Sequence, residues 1–425
     1  MPGFLGPIAR LRPGGAGGRS LERWQRQVLI LAVASFVSFT GFTFVIPFLP
    51  LYIQELGITE PGAVALWSGV IFGISPLLGG LMGPFWGRVA DRTGYKLMVQ
   101  RSLGCFVLLL VLMAFVQNVY QLFGLRLLLG LVGGFGALSL ALASAAAPRE
   151  RAGQAIAAIQ TAQLLSGVGG PFIGGLVADT FGLRPSFFCA AGACGLAFLL
   201  ITYGYQERRA SEGGASKKEG RPLRQLFALP YFALVFFTIL GINFIDRSFG
   251  PLLALYVGWL GAPPAMTATL SGLIISVGAI AAAISANVAG RWATPERIHR
   301  VLLASLVAGG LLCLPIALAT AWWQLLILRP LLGLMAGGSL TLAFTLGSLS
   351  LPKDGRAAAF GVLSSAALLG TATSAPLLGL LAQLSLRAIW LFDAALYGVL
   401  VICLWLVLRH GLVAAAGSVA RQPAD

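Results

Sequence analysis

Charged residues are scarce in this chain. They occupy 10% of its 425 positions, against about 25% in an ordinary soluble domain. Histidine is rarer still: only His299 and His410 occur, and neither belongs to an H-E-x-x-H pattern, so zinc-type intramembrane proteolysis has no residues to work with. No paired-acid or Ser/His constellation suited to membrane-embedded catalysis is present either, and we expect no enzyme activity. No G-x-x-x-x-G-K-[ST] loop exists, which excludes nucleotide-driven work within this chain. The five cysteines, Cys105, Cys189, Cys194, Cys313 and Cys403, form no C-x-x-C pair. They read as free thiols that pack like small apolar side chains, with no metal or other cofactor expected. The first 26 residues are rich in Gly and Arg and lack the apolar core of a signal peptide, so we expect a disordered tail.

Apolar residues fill 58% of the chain and the mean hydropathy is +0.88. Twelve apolar runs fall at roughly 28–51, 64–86, 97–116, 121–146, 154–178, 185–205, 227–256, 266–290, 300–320, 323–349, 357–382 and 388–408, each about long enough to cross a bilayer. None shows period-two alternation. Backbone polar groups in lipid must pair within their own segment, so these runs predict helices and not barrel strands.

The net charge of +15 could suggest nucleic acid, but its distribution points to a membrane. Of 29 Lys and Arg, 24 fall in the termini and alternate loops on one side, only Arg184 and Arg387 fall in loops on the other, and Arg126, Arg247 and Arg329 fall within spans. The positively charged side of a membrane protein is the cytoplasmic one. Both termini are therefore expected inside, in a multi-pass protein of the plasma (bacterial inner) membrane, whose partners are lipids and not nucleic acid.

An internal repeat runs at an offset near 204. Leu51-Tyr52-Ile53 returns as Leu255-Tyr256-Val257, Gly87-Arg88 as Gly290-Arg291, Arg126 and Gly130 as Arg329 and Gly333, Pro171 as Pro376, and Arg184 as Arg387. Apolar sequence alone would not keep the charges in register. Each copy holds six spans in the same orientation. The expected organisation is a tail at 1–26, a six-helix bundle at 27–205, a polar linker at 206–225, a second six-helix bundle at 226–410 and a tail at 411–425.

Three motifs stand out. Gly87-x-x-x-Asp91-Arg92-x-Gly94-x-Lys96, with Arg88, lies between the second and third spans. Arg126-x-x-x-Gly130 lies in the fourth. Gly167-x-x-Gly170-Pro171-x-x-Gly174-Gly175 lies in the fifth, where its small residues suit close approach of a neighbouring helix. Together they resemble the signature motifs of the major facilitator superfamily, and the third resembles the glycine-proline motif of its twelve-helix bacterial drug:proton antiporter branch. The resemblance covers about residues 25–410. It implies an all-α membrane protein of two parallel six-helix repeats, acting as a secondary transporter, expected in that branch to export lipophilic or drug-like compounds against protons and to work as a monomer. It also implies that Asp91 approaches the N-terminus of the eleventh helix, near Gly355 to Ala359. A carboxylate there is stabilised by the helix dipole and free N–H groups, and would latch the halves on the cytoplasmic side. Read from the residues alone, Arg88, Arg92 and Lys96 also serve as topology signals, while Gly87 and Gly94 suit a tight reversal. The second copy, Arg291-Trp292-Ala293-Thr294-Pro295, has no acid at this place.

Charge inside a span is costly and usually faces the bundle interior. By resemblance the first, fourth, seventh and tenth helices line the cavity, which places Arg126, Asn243, Asp246 and Arg329 there. The first span carries no acid. Asp246 is then the expected proton site, with a structural ion pair to Arg247 or Arg329 as the competing reading. Asp393, about two turns from the end of its span, reads as structural. Phenylalanines in the first span (Phe36, Phe39, Phe42, Phe44, Phe48) and seventh span (Phe232, Phe236, Phe237, Phe244, Phe249) suit a lipophilic, aromatic or cationic substrate, or simply face lipid and neighbours. A specific transporter of a sugar or organic acid, and a non-transporting sensor or scaffold of the same fold, remain open on these residues.

Overall fold

The computed structural model describes residues 22–148, 151–206, 232–292, 297–350 and 356–419, and is helical throughout, with no strand among them. Most of the expected N-terminal tail and linker lies outside these residues, whereas 411–419 of the expected C-terminal tail continue the last helix. Twelve transmembrane-type segments follow in order: α1 (Arg23–Phe44, continued by Leu49–Glu55), α2 (Pro61–Thr93), α3 (Tyr95–Ala114), α4 (Val119–Leu131 and Phe135–Ala146), α5 (Ala152–Phe181), α6 (Leu183–Leu199, widening to a π turn at Leu200–Gly204), α7 (Phe232–Trp259), α8 (Thr267–Trp292), α9 (Ile298–Ala317), α10 (Trp322–Ala336 and Ser339–Ser350), α11 (Arg356–Ala382) and α12 (Leu386–Val419). Among the described residues, eleven are long and apolar enough to span a bilayer as they stand. The twelfth, α7, is bent by 49° between Phe232–Ser248 and Leu252–Trp259.

The interruptions recur in both halves. Helix α1 breaks into a 3₁₀ turn at Ile46–Phe48, next to Pro47 and Pro50, and α7 bends at the repeat-related place, next to Pro251. Proline lacks the N–H that would continue the ladder. The two breaks meet: a methyl group added at Gly250 would lie 3.4 Å from Ile46 Cγ2. Helix α4 breaks before Gly134, whose φ of +112° is open to glycine without a Cβ penalty. Helix α10 breaks at Gly337-Gly338, the repeat-related pair.

Each half has its own apolar core. One gathers residues of α1–α6 around Phe48, Tyr52, Leu103 and Phe187, and the other gathers α7–α12 around Tyr256, Leu302, Trp390 and Leu404. Repeat symmetry extends to hydrogen bonds. Tyr52 donates to the Met113 carbonyl at 2.7 Å, and Tyr256 donates to the Ile316 carbonyl at 2.6 Å. The Arg184 and Arg387 guanidinium groups reach the carbonyls of Val116 and Ala319. Buried hydroxyls and main-chain ends are thus paired by the same device twice. The halves meet mainly along two helix pairs, α2 with α11 and α5 with α8, with smaller contacts from α7 and α8 to the break in α1.

Candidate functional site

The loop motif differs from the expected turn. Helix α2 continues through Gly87 to Thr93, and nothing lies within 4 Å of a methyl group placed on Gly87. The reversal falls on Gly94 alone, at φ +98°, with its N–H bonded to the Ala90 carbonyl at 2.9 Å. The helix outlasts the apolar run because its hydrogen bonds close within the segment whether lipid or water surrounds it. Arg88, Asp91 and Arg92 are exposed on the helix end. Tyr95 donates to Asp91 Oδ1 at 2.5 Å. Lys96 Nζ donates to the carbonyls of Thr202 and Tyr205 at 3.0 and 2.7 Å. It thereby satisfies the terminal acceptors of α6, where a cation also suits the helix dipole. The expected target of Asp91 includes Gly355, which lies outside the described residues, and of Arg356 to Ala359 only the backbone is described.

Two residues beside this motif carry a contact that the sequence reading missed. Trp86 donates through Nε1 to the Leu131 carbonyl at 2.7 Å. The Arg101 guanidinium lies 3.4 Å over the Trp86 ring and donates to the carbonyls of Val132 and Gly133 at 2.9 and 3.2 Å. The carbonyls freed by the break in α4 are thus satisfied by α2 and α3. Cation–π contact between residues fifteen positions apart leaves no periodic trace in sequence.

The glycine-proline motif splits between two partners. A methyl group on Gly170 would collide with Thr43, and one on Gly174 with the carbonyl of Phe44, both on α1. One on Gly175 would collide with the carbonyl of Ala268 on α8, and one on Gly272 of α8 with the carbonyl of Pro171. The motif therefore seats α5 against its own half and against the other half at once, as small residues on a helix face allow. Gly167 faces open space. One turn beyond Gly175, on the same face, Asp179 accepts the Thr269 N–H at 2.7 Å through Oδ2. A carboxylate of one half thereby caps the first turn of a helix in the other. The i, i+4 spacing from Gly175 is the signal that could have found it.

The ionisable residues of the spans separate sharply. Arg126 is 5% exposed, its Nε has no hydrogen-bond partner among the described residues, and its carbonyl accepts from Ser75 at 2.6 Å. Asp246 and Arg247 are exposed. Asn243 is buried, with its amide donated to the Ile239 carbonyl of its own helix at 3.1 Å. Arg329 crosses Gly278 of α8, where a methyl group would meet its Cγ at 2.9 Å. Asp393 is wholly buried, with Oδ2 at 2.5 Å from Ser248 Oγ and within electrostatic reach of Arg329. The structure thus brings Arg329 to Asp393 and holds Arg126 in the other half. Of the phenylalanines, Phe44, Phe48, Phe232 and Phe244 are core residues, while Phe36 and Phe237 are exposed; the Phe249 side chain lies outside the described residues. No group of His, Cys, Asp and Glu able to hold a metal occurs among the described residues.

The family model described as Major Facilitator Superfamily matches residues 31–299 and 266–423. A multidrug resistance protein MdtG of Dickeya zeae is 35% identical over 390 residues, covering 91% of this chain and 95% of the relative. The protein of the same name from Enterobacter lignolyticus is 38% identical over 327 residues, covering 76% and 78%. Among solved structures, a mutant form of the nucleoside transporter NupG superposes with a TM-score of 0.73 at 15% identity, over 90% of this chain and 99% of that one. An inward-facing, occupied bacterial homologue of the lysosomal transporter Spinster superposes with a TM-score of 0.73 at 13% identity, over 92% and 98%. At these identities the two structures speak to the fold alone.

Proposed function

This chain belongs to the major facilitator superfamily, and from that premise we propose that it exports lipophilic, drug-like compounds across the membrane by alternating access of its two halves, coupled to inward movement of protons. The observation that carries the reading is the likeness to proteins named for multidrug resistance, at 35% identity over 91% of the chain. The absence of a nucleotide-binding loop from the sequence supports an ion gradient over nucleotide hydrolysis as the driving force. The protein works as a monomer in the bacterial inner membrane with both termini in the cytoplasm. The 24-to-2 asymmetry of Lys and Arg between the two sides supports that orientation.

The geometry lends itself to rocking of rigid halves. Each half has a separate core, and the contacts between halves run mainly along α2–α11 and α5–α8. Close backbone approach at Gly175 and Gly272 lets these helices slide or part without side chains interlocking. Residues 61–73, 171–179, 268–272 and 375–379 lie at the ends assigned to the outside, so the contacts at Gly69, Gly73, Gly175, Gly272 and Gly379 hold the outer ends together here. On the cytoplasmic side Asp91 exchanges its Tyr95 contact for the N-terminus of α11 when the inner ends close. In the transport path Arg126 supplies a buried cation, Asp246 an accessible carboxylate for cationic groups of the cargo, and Asn243 and Arg329 flank them.

Expression in a drug-sensitive bacterium tests the reading. Raised resistance to several chemically unrelated lipophilic drugs, together with pH-gradient-driven accumulation of a lipophilic cationic dye in proteoliposomes, is the expected outcome. Uptake of a single sugar or organic acid with no change in drug resistance would overturn it.

A further inference from the structure

We infer that Asp393 of α12, and not Asp246, is the carboxylate that takes up and releases the coupled proton, and that its proton switches a hydrogen bond at the bend of α7. The inference rests on the proton-coupled reading above and names its site.

Three oxygens stand in a row. Asp393 Oδ2 lies 2.5 Å from Ser248 Oγ, and the same Ser248 Oγ lies 2.7 Å from the carbonyl oxygen of Ile245. A serine hydroxyl has one proton to donate; a backbone carbonyl and an ionised carboxylate have none. Both contacts are satisfied together only when the carboxyl supplies its own proton: Asp393 donates to Ser248, and Ser248 donates to Ile245. On ionisation the single serine proton must serve one acceptor. The carboxylate takes it, because a charge-assisted hydrogen bond is about twice as strong as a neutral one. The Ile245 carbonyl then loses its side-chain partner.

The position of this carbonyl gives the switch its reach. Ser248 is the last residue of the first segment of α7, immediately before the 49° bend. Gain or loss of one proton on α12 therefore changes the bonding of the last turn before the bend, and the bend meets the break in α1 of the other half at Gly250 and Ile46. The proton comes from water on one face as the carboxyl O–H forms and returns to water on the other as that bond breaks; no electrons are exchanged. Asp393 is wholly buried in this conformation, so exchange waits on movement of α7.

The surroundings can hold both states. Arg329 of α10 supplies the countercharge for the ionised form, while Oδ1 has no hydrogen-bond partner among the described residues. An ionised carboxylate with one oxygen left bare in a protein interior is costly, so neither state is held permanently. The other titratable groups facing the cluster are Cys313 of α9 and Tyr397 of α12, with Asp246 of α7 acting on Tyr397. Residues 357–382 of α11 carry no charged side chain. Asp246 is exposed on the same helix as Ser248, and among the described residues no hydrogen bond of the bend depends on it. At an offset of 203, the position in the first half that corresponds to Asp393 is Ala190, so the device occurs once.

The test uses the purified full-length protein in weakly buffered detergent solution and a lipophilic cationic dye. Binding of the dye releases protons from the wild type, read with a pH indicator, and its affinity falls as pH drops. Asp393→Asn is expected to release at most a tenth as many protons, to bind with pH-independent affinity, and to lose at least tenfold of gradient-driven accumulation in proteoliposomes. Asp393→Glu restores proton release with a shifted pH midpoint. Wild-type proton release from Asp393→Asn, or its loss in Asp246→Asn with Asp393→Asn unaffected, overturns the assignment. If Asp393→Asn does not fold, Asp393→Glu decides by infrared spectroscopy. The carboxylic-acid band of the wild type must move to the glutamic-acid position, and an unmoved band refutes the inference. A wild type that neither releases protons nor accumulates dye under a pH gradient refutes proton coupling itself.

Discussion

The bond from the Thr269 N–H to Asp179 joins the two halves, and its removal has a calculable effect. The N–H groups of the first turn of α8 have no partners within their helix, and Asp179 takes one of them at 2.7 Å. Loss of a side-chain cap costs about 0.5–2 kcal/mol, and the charge–dipole part contributes about 0.3–1 kcal/mol of the whole. In the proposed orientation the bond exists only while the outer ends of α5 and α8 touch, so on that reading its energy enters directly into the balance between inward-open and outward-open forms. Asp179→Ala should shift that balance toward the outward-open form by roughly 5- to 10-fold, from a cost of about 1–1.4 kcal/mol. Asp179→Asn keeps an acceptor of cap quality and should shift it by only about 2- to 5-fold. The assay is pulsed electron–electron spin resonance between labels at Thr180 and Met266, both exposed, with the native cysteines replaced. The fraction of long distances should rise in the order wild type, Asn, Ala. Unchanged distance distributions in a folded Asp179→Ala variant would refute the view that this bond weights the equilibrium.

Three further outcomes follow from the geometry. Asp91→Asn is expected to leave the protein folded and inserted while lowering dye export at least tenfold, measured in proteoliposomes; wild-type export would reduce the loop motif to a topology signal. Tyr52→Phe strands the buried Met113 carbonyl, at a cost of about 1–3 kcal/mol, whereas Tyr256→Phe leaves the Ile316 carbonyl its 3.3 Å bond from the Ala319 N–H and should cost only about 0.5–1.5 kcal/mol; calorimetry should show the larger loss at Tyr52, and a neutral result there would contradict the pairing. Arg101→Lys keeps the charge but loses the planar stack on Trp86 and the fit to two carbonyls, and should lower thermal stability by about 1–2 kcal/mol, read by melting of the purified protein and smaller in a Trp86→Ala background, where only the carbonyl bonds are left to lose.

The membrane class, the helix order and the twofold repeat were legible in the chain itself. Lipid selects on composition, so an apolar run such as 154–178 marks its helix, Ala152–Phe181, to within a few residues. Register of charges such as Arg126 with Arg329 betrays duplication without any coordinates. The Gly170, Gly174 and Gly175 motif was also readable as a close-packing face. Hydropathy does not report where hydrogen bonds stop, so it ended the second span near residue 86, whereas α2 runs on to Thr93 and turns on Gly94. Nor does it report what covers a side chain. Asp246 and Asp393 both lie in apolar runs, one exposed and one wholly buried, because α12 packs against α7 and α9 on the side that carries Asp393. The sequence by itself thus determined which segments are helices and that they come as two copies, since those properties depend on local composition and the i-to-i+4 backbone ladder. Only the tertiary structure decided which carboxylate shares a hydroxyl with a helix bend and which one bridges the halves, since contacts across 145 and 90 positions depend on how the helices pack.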